Sequence, residues 1–246
     1  MTASFWVLIT AIFLLAGLVK GVIGMGLPTV AMGLLALVLP PAEAAAILVV
    51  PSLVTNVWQL LAGPRFGALA RRLWPMMLGV TVGTIAGAGL IASDASGMAE
   101  AGLGVALAIY AVVGLSGFKM IVAPHQEKWL APAIGATTGL VTGATGVFVI
   151  PAVPYLQAIG LERDELIQAL GLSFTVSTLA LALGLLRVEA WQTSSIGISL
   201  LALAPALAGM QLGQVMRQRI APKTFRTVFF VGLLLLGLYL ALRGLA

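Results

Sequence analysis

Few residues of this chain are equipped for chemistry, and those few keep unusual company. Lys20 stands in "GLVKGVIGMG", residues 17–26, sixteen residues into an apolar run that starts at Ser4. If the first helix dips in from outside, Lys20 lies ~24 Å along it at the α-helical rise. Its amine must then enter a polar cavity, where it is a counter-charge for an anion. If the helix crosses completely, the amine only snorkels to the cytoplasmic interface. Polar side chains recur further on. "VPSLVTNVWQ" sets Ser52, Thr55, Asn56 and Gln59 three or four residues apart, hence on one helical face, and "LSFTVSTL" does the same for Ser173, Ser177 and Thr178. Hydroxyls and amides of this kind donate to an oxyanion, or equally tie one helix to another.

Other chemistries lack their residues. The chain has one histidine, His125, in a polar linker, and no cysteine, while Asp94 and Asp164 both fall at helix ends. No Ser-His-Asp set, buried aspartate pair or metal-ligand cluster can be assembled from these positions. The expectation is a protein that is not an enzyme, with no catalytic residue, no cofactor and no metal. Glu43 and Glu165 invite a proton relay, yet each follows a helix-starting sequence, "LPPAE" and "LERDE", where a carboxylate in the first turn complements the helix dipole.

Composition decides what surrounds these residues. Of 246 residues, 61% are hydrophobic and 9% are charged, too little polar surface to face water. Segments 4–19, 42–62, 73–92, 97–118, 166–186, 196–216 and 228–242 are each about long enough to span a bilayer at ~20 residues per crossing. They are apolar all round, unlike the alternating strands of a membrane barrel. An all-α polytopic membrane protein follows. The opening "MTASFWVLIT" has no basic residue and no cleavage site after it, so it reads as a retained helix. The net charge of +5 resides in short inter-helix loops, which points to membrane orientation and away from nucleic acid.

The chain also repeats itself. A shift of 122 residues lays "GLVKGVIG" on "GLVTGATG", Lys20 on Thr142, Glu43 on Glu165, Thr55 on Ser177 and Asn56 on Thr178. Later, Gly83/Gly87 matches Gly209/Gly213 at a shift of 126. Two homologous halves are predicted, 1–120 and 129–246, joined by a cytoplasmic linker at 121–128 within one integrated membrane domain. Each half reads as a glycine-broken first helix, a half-helix of about thirteen residues (27–39; 147–159) and three full helices. The basic loop with Arg65, Arg71 and Arg72 and the one with Arg217, Arg219, Lys223 and Arg226 belong on the cytoplasmic side. Sharing a side requires inverted repeats, a recurring plan of secondary transporters; eight helices in a parallel four-plus-four plan are the alternative. Gly21, Gly24 and Gly26, like Gly143 and Gly146, break helix continuity, helped by Pro28 and Pro151. Each half-helix then begins near mid-membrane, and two helix N-termini converge into a cradle for a small anion, with Thr142 and Thr145 supplying hydroxyls from the second half. The competing reading makes these glycines packing contacts only.

The duplicated "G-x-x-x-G-x-x-G" segments at 17–24 and 139–146, each trailed by a proline, and the small-residue helices "TVGTIAGAGL" and "LAGMQLG" resemble the TauE/SafE sulfite exporters, within the wider 4-toluene sulfonate uptake permeases. The resemblance covers essentially the whole chain, with "GMGLP" and "GVFVIP" where the family usually runs three glycines. It implies an inner-membrane carrier for sulfite, sulfonates or related organic anions, with protons as a coupling ion, working among membrane lipids as a monomer or homodimer. The expected function is secondary-active transport of a small anion by alternating access; the alternatives are a passive anion channel and a non-transporting scaffold.

Overall fold

A computed structural model describes residues 2–92, 97–117, 120–190, 193–217, 219 and 222–245. The described residues form helices and connecting turns: α1 (Ala3–Ile23), α2 (Leu27–Leu35), α3 (Pro41–Leu61), α4 (Phe66–Ala92), α5 (Met98–Ser116), α6 (Pro124–Thr145), α7 (Ala152–Ala158), α8 (Arg163–Arg187), α9 (Thr193–Met216) and α10 (Pro222–Leu245). Seven of them, α1, α3, α4, α5, α8, α9 and α10, are long and apolar enough to cross a membrane, matching the seven segments read from the sequence. Asp94 and Phe118 lie outside the described residues. Several helices outrun their apolar segments, so that Arg71 and Arg72 sit in the first turns of α4, Lys223 and Arg226 in those of α10, and 124–128 of the linker in those of α6. Backbone hydrogen bonding continues into water where the hydrophobic pattern stops.

The helix breaks have a common chemistry. Gly24 ends α1 at φ 78° with its N–H on the Lys20 carbonyl at 2.8 Å; Gly146, 122 residues later, ends α6 at φ 72° with its N–H on the Thr142 carbonyl at 2.7 Å. This left-handed cap favours glycine, which has no Cβ to strain. Gly26, at φ 103°, starts α2, and Pro28 sits in its first turn, where a missing N–H costs nothing. The half-helices are shorter than expected: α2 stops at Leu35, and α7 begins only at Ala152, after the non-helical residues 147–149 and a turn at 150–151.

Gly21 and Gly143 do not break helices. Both lie inside continuous helix, where a Cβ at Gly21 would collide with the Met210 carbonyl and one at Gly143 with the Thr84 carbonyl. Reciprocally, a Cβ at Gly209 would strike the Leu14 carbonyl, one at Gly213 that of Leu18, and one at Gly83 that of Ala136. Helix α1 therefore packs backbone to backbone on α9, and α6 on α4. Along these seams residue numbers rise together, Gly17 and Gly21 meeting Ala206 and Met210, and Gly79 and Gly87 meeting Pro132 and Leu140. So α1 runs parallel to α9, and α4 to α6.

Two other helix pairs, α3 with α8 and α5 with α10, run antiparallel where they meet. On α3 and α8, Ser52 faces Thr178 while Gln59 reaches the Ile167 carbonyl. On α5 and α10, Gly97 abuts Gly244 while Gly114 abuts Phe230. The pair α3 and α8 forms the centre, with 67% and 72% of their apolar stretches enclosed against 28% for α10. Arg65 pairs with Glu165 at 3.4 Å, and Arg72 holds Glu127 in a two-pronged contact of 2.9 and 2.6 Å. The end of α3 and the starts of α4, α6 and α8 thus share one face. The end of α1 joins them, since Gly24 approaches Ile167 of α8, and it brings the end of α9 through the contact of Gly21 with Gly213.

Candidate functional site

Three of the polar residues that sequence spacing placed on α3 and α8, namely Ser52, Asn56 and Thr178, join Lys20 in one buried chain. Lys20 is 4% exposed, and among the described residues no other charged side chain is buried. It lies in the last turn of α1, where the carbonyl end of the helix favours a cation. Its Nζ donates to Oδ1 of Asn56, Asn56 Nδ2 donates to Ser52 Oγ at 3.0 Å, and Ser52 Oγ lies 3.2 Å from Thr178 Oγ1. Direction follows from both ends. An ammonium only donates, which fixes the Asn56 amide. Thr178 gives its proton to the Phe174 carbonyl at 2.7 Å, so the Ser52 proton goes to Thr178. The chain joins α1, α3 and α8, and so both halves.

The remaining candidates divide by where their protons go. Thr55 donates to the Pro51 carbonyl at 2.8 Å, Thr142 to that of Thr138 at 2.7 Å and Thr145 to that of Val141 at 2.7 Å. These hydroxyls bond within their own helices and have no donor left for an anion. Gln59 is committed to Ile167 O at 2.7 Å. Ser173 and Ser177 are fully buried on one face of α8 with no hydrogen-bond partner among the described residues, and keep their protons. A buried hydroxyl without a partner calls for an explanation, and a site that accepts a ligand supplies one.

The two helix breaks do not converge. Met25 meets the Tyr110 hydroxyl on α5, and Thr145 lies beside Gly102 of the same helix, eight residues and ~12 Å away by helix rise. The two breaks therefore sit at different depths along α5, with Gly146 of the second packed against Met32 of α2. Of the glycine and proline candidates, Gly24, Gly26, Pro28 and Gly146 shape the breaks, while Gly21 and Gly143 serve the seams. Glu165 accepts the N–H of Glu162 at 3.2 Å as a capping residue, and Glu43 stands in the first turn of α3.

A family model described as "Sulfite exporter TauE/SafE" matches residues 9–240. The chain belongs to the TauE/SafE sulfite exporter family. No curated protein and no solved structure matches it. TauE/SafE membership and seven apolar helices together make this a multi-pass membrane protein of a transporter family.

Several residues that support the buried chain of this TauE/SafE member carry no mark as candidates in the sequence. Gln168 caps the end of α3, donating to Leu60 O and Gly63 O at 2.8 and 2.7 Å and accepting the Arg65 N–H at 2.9 Å. Ser199 donates to the Ile47 carbonyl at 2.7 Å, the group that Pro51, lacking an N–H, leaves unpaired four residues on. The signal for Ser199 was Pro51 itself, since a proline inside a buried helix demands an outside donor. Thr29 and Thr84 are buried without a partner, and nothing in their spacing distinguishes them from packing threonines.

Proposed function

We propose that this chain is a secondary transporter that binds a small oxyanion, sulfur-containing or carboxylated, beside Lys20 and exposes it alternately to the two sides of a bacterial inner membrane. The observation that carries this is the buried Lys20 amine, held by a neutral amide rather than by a carboxylate. A buried cation without a counter-ion is costly, and an arriving anion removes that cost. The anion takes the place of Asn56 Oδ1 on the amine. Ser173, Ser177 and the second N–H of the Asn56 amide then donate to its oxygens.

Alternating access needs two equivalent halves facing opposite ways. We infer inverted repeats because equivalent helices meet antiparallel, α3 with α8 and α5 with α10, as a two-fold axis lying in the membrane plane requires. The face that gathers Arg65, Arg71, Arg72, Arg163 and Arg217 is assigned to the cytoplasm by the positive-inside rule. Protons are the coupling ion in this reading.

The test is flux into proteoliposomes of sulfite, small sulfonates and carboxylates, with and without an imposed pH gradient, comparing wild type with Lys20→Ala and Lys20→Met. Saturable flux that reverses with the gradient and is lost in both variants is expected. Conductance that only follows voltage indicates a channel, and no flux of any anion indicates a scaffold.

A further inference from the structure

We propose that the Lys20 site selects by charge, taking monovalent anions and rejecting divalent ones, so that a sulfite-type oxyanion is carried in its singly charged hydrogen form. This rests on the reading of Lys20 as the anion's counter-charge.

The argument is a count of charges inside the protein. Lys20 contributes one positive charge, and no other described charged side chain is buried. The helix ends beside it cancel. The carbonyl end of α1 and the N–H end of α2 flank the same break at Gly24–Gly26, and carry about half a unit each of opposite sign. The other groups around the chain, Asn56, Ser52, Thr178, Ser173 and Ser177, are neutral. The cations gathered at the shared helix-end face, Arg65, Arg71, Arg72, Arg163 and Arg217, are all at least partly exposed to water, and Arg65 and Arg72 are engaged by Glu165 and Glu127. A monoanion on Lys20 leaves the enclosed site neutral. A dianion leaves one negative charge uncompensated away from water, and the hydroxyl and amide donors soften that charge without neutralising it. The second half offers Thr142 where the first offers Lys20, so duplication has not supplied a second cation.

The repeat also provides the decisive variant. In the repeat Thr142 corresponds to Lys20 and Thr178 to Asn56, so a lysine at 142 is expected to approach Thr178, the far end of the same hydrogen-bonded chain. The experiment is calorimetric titration of the purified full-length protein in detergent with methanesulfonate and with sulfate. These are two tetrahedral sulfur oxyanions that differ by one charge and do not titrate near neutral pH. Wild type is expected to bind methanesulfonate at least about 100-fold more tightly than sulfate, Lys20→Met to lose methanesulfonate, and Thr142→Lys to move the preference toward sulfate. Equal affinities in wild type, or a preference for sulfate, overturn the charge selection and leave the anion site standing. Methanesulfonate binding unchanged in Lys20→Met overturns the site, and the inference with it. A Thr142→Lys protein that folds but keeps the wild-type ratio also counts against the proposal, and the wild-type ratio decides alone if that variant does not fold.

Discussion

At the scale of single residues, stability and function around Lys20 pull in different directions. The amine is buried and bonded to one amide oxygen, so removing Asn56 strands a charge, whereas removing the charge strands only an amide. Asn56→Leu is expected to destabilise by about 2 kcal/mol, read as a lower melting temperature in detergent. Lys20→Met costs less, and the double variant recovers most of the loss. Additive losses in the double variant would mean that the two residues are not coupled. A second pairing is equally local. Ser199→Ala frees the Ile47 carbonyl and is expected to cost about 0.6–2 kcal/mol, while Pro51→Ala in the same chain restores the missing N–H and rescues it. Rescue that fails would show that Ser199 acts elsewhere.

At the scale of elements, the seams between α1 and α9 and between α4 and α6 tolerate only glycine at their contact points. Gly21→Ala and Gly83→Ala push a methyl into the Met210 and Ala136 carbonyls, and each is expected to cost about 2 kcal/mol or more by overpacking. Gly89→Ala and Gly232→Ala, whose added methyls meet nothing within 4 Å, are expected to be neutral or mildly stabilising. Thermal denaturation of the four variants checks the contrast. Elements are also fastened at the two faces in a matched way. Arg72 donates to the Ile159 carbonyl at 2.8 Å while gripping Glu127; Arg243 donates to the Leu37 carbonyl at 3.0 Å with Glu100 at 3.2 Å. Leu37 and Ile159 are equivalent positions, each just after a half-helix, and they lie on opposite faces. Arg72→Gln is expected to raise access to the site from its own face and Arg243→Gln from the other. Because the chain has no cysteine, labelling of Ser177→Cys from each side reads this directly. Equal labelling from both faces in both variants would rule out a gating role for these ties.

At the scale of the whole molecule, orientation is the accessible quantity. A cysteine at Lys223 is expected to label only from the cytoplasm and one at Glu43 only from outside; the reverse pattern would invert the topology. Composition and hydrophobic run length by themselves determined an all-helical membrane protein, its seven long spans and the end of each first helix near Gly24 and Gly146. These depend on local properties, namely transfer free energy per residue and the left-handed backbone that glycine permits. The repeat gave the equivalence of Lys20 with Thr142 and of Asn56 with Thr178. Tertiary structure alone decided which glycines break a helix and which admit a neighbouring backbone, because Gly21 and Gly24 look alike until a second helix arrives. It also decided which hydroxyls retain a proton to donate. Thr142 and Ser177 are equally polar in sequence, but Thr142 bonds back to its own helix, whereas Ser177 has no partner among the described residues and is closed off from water by the helices packed around α8.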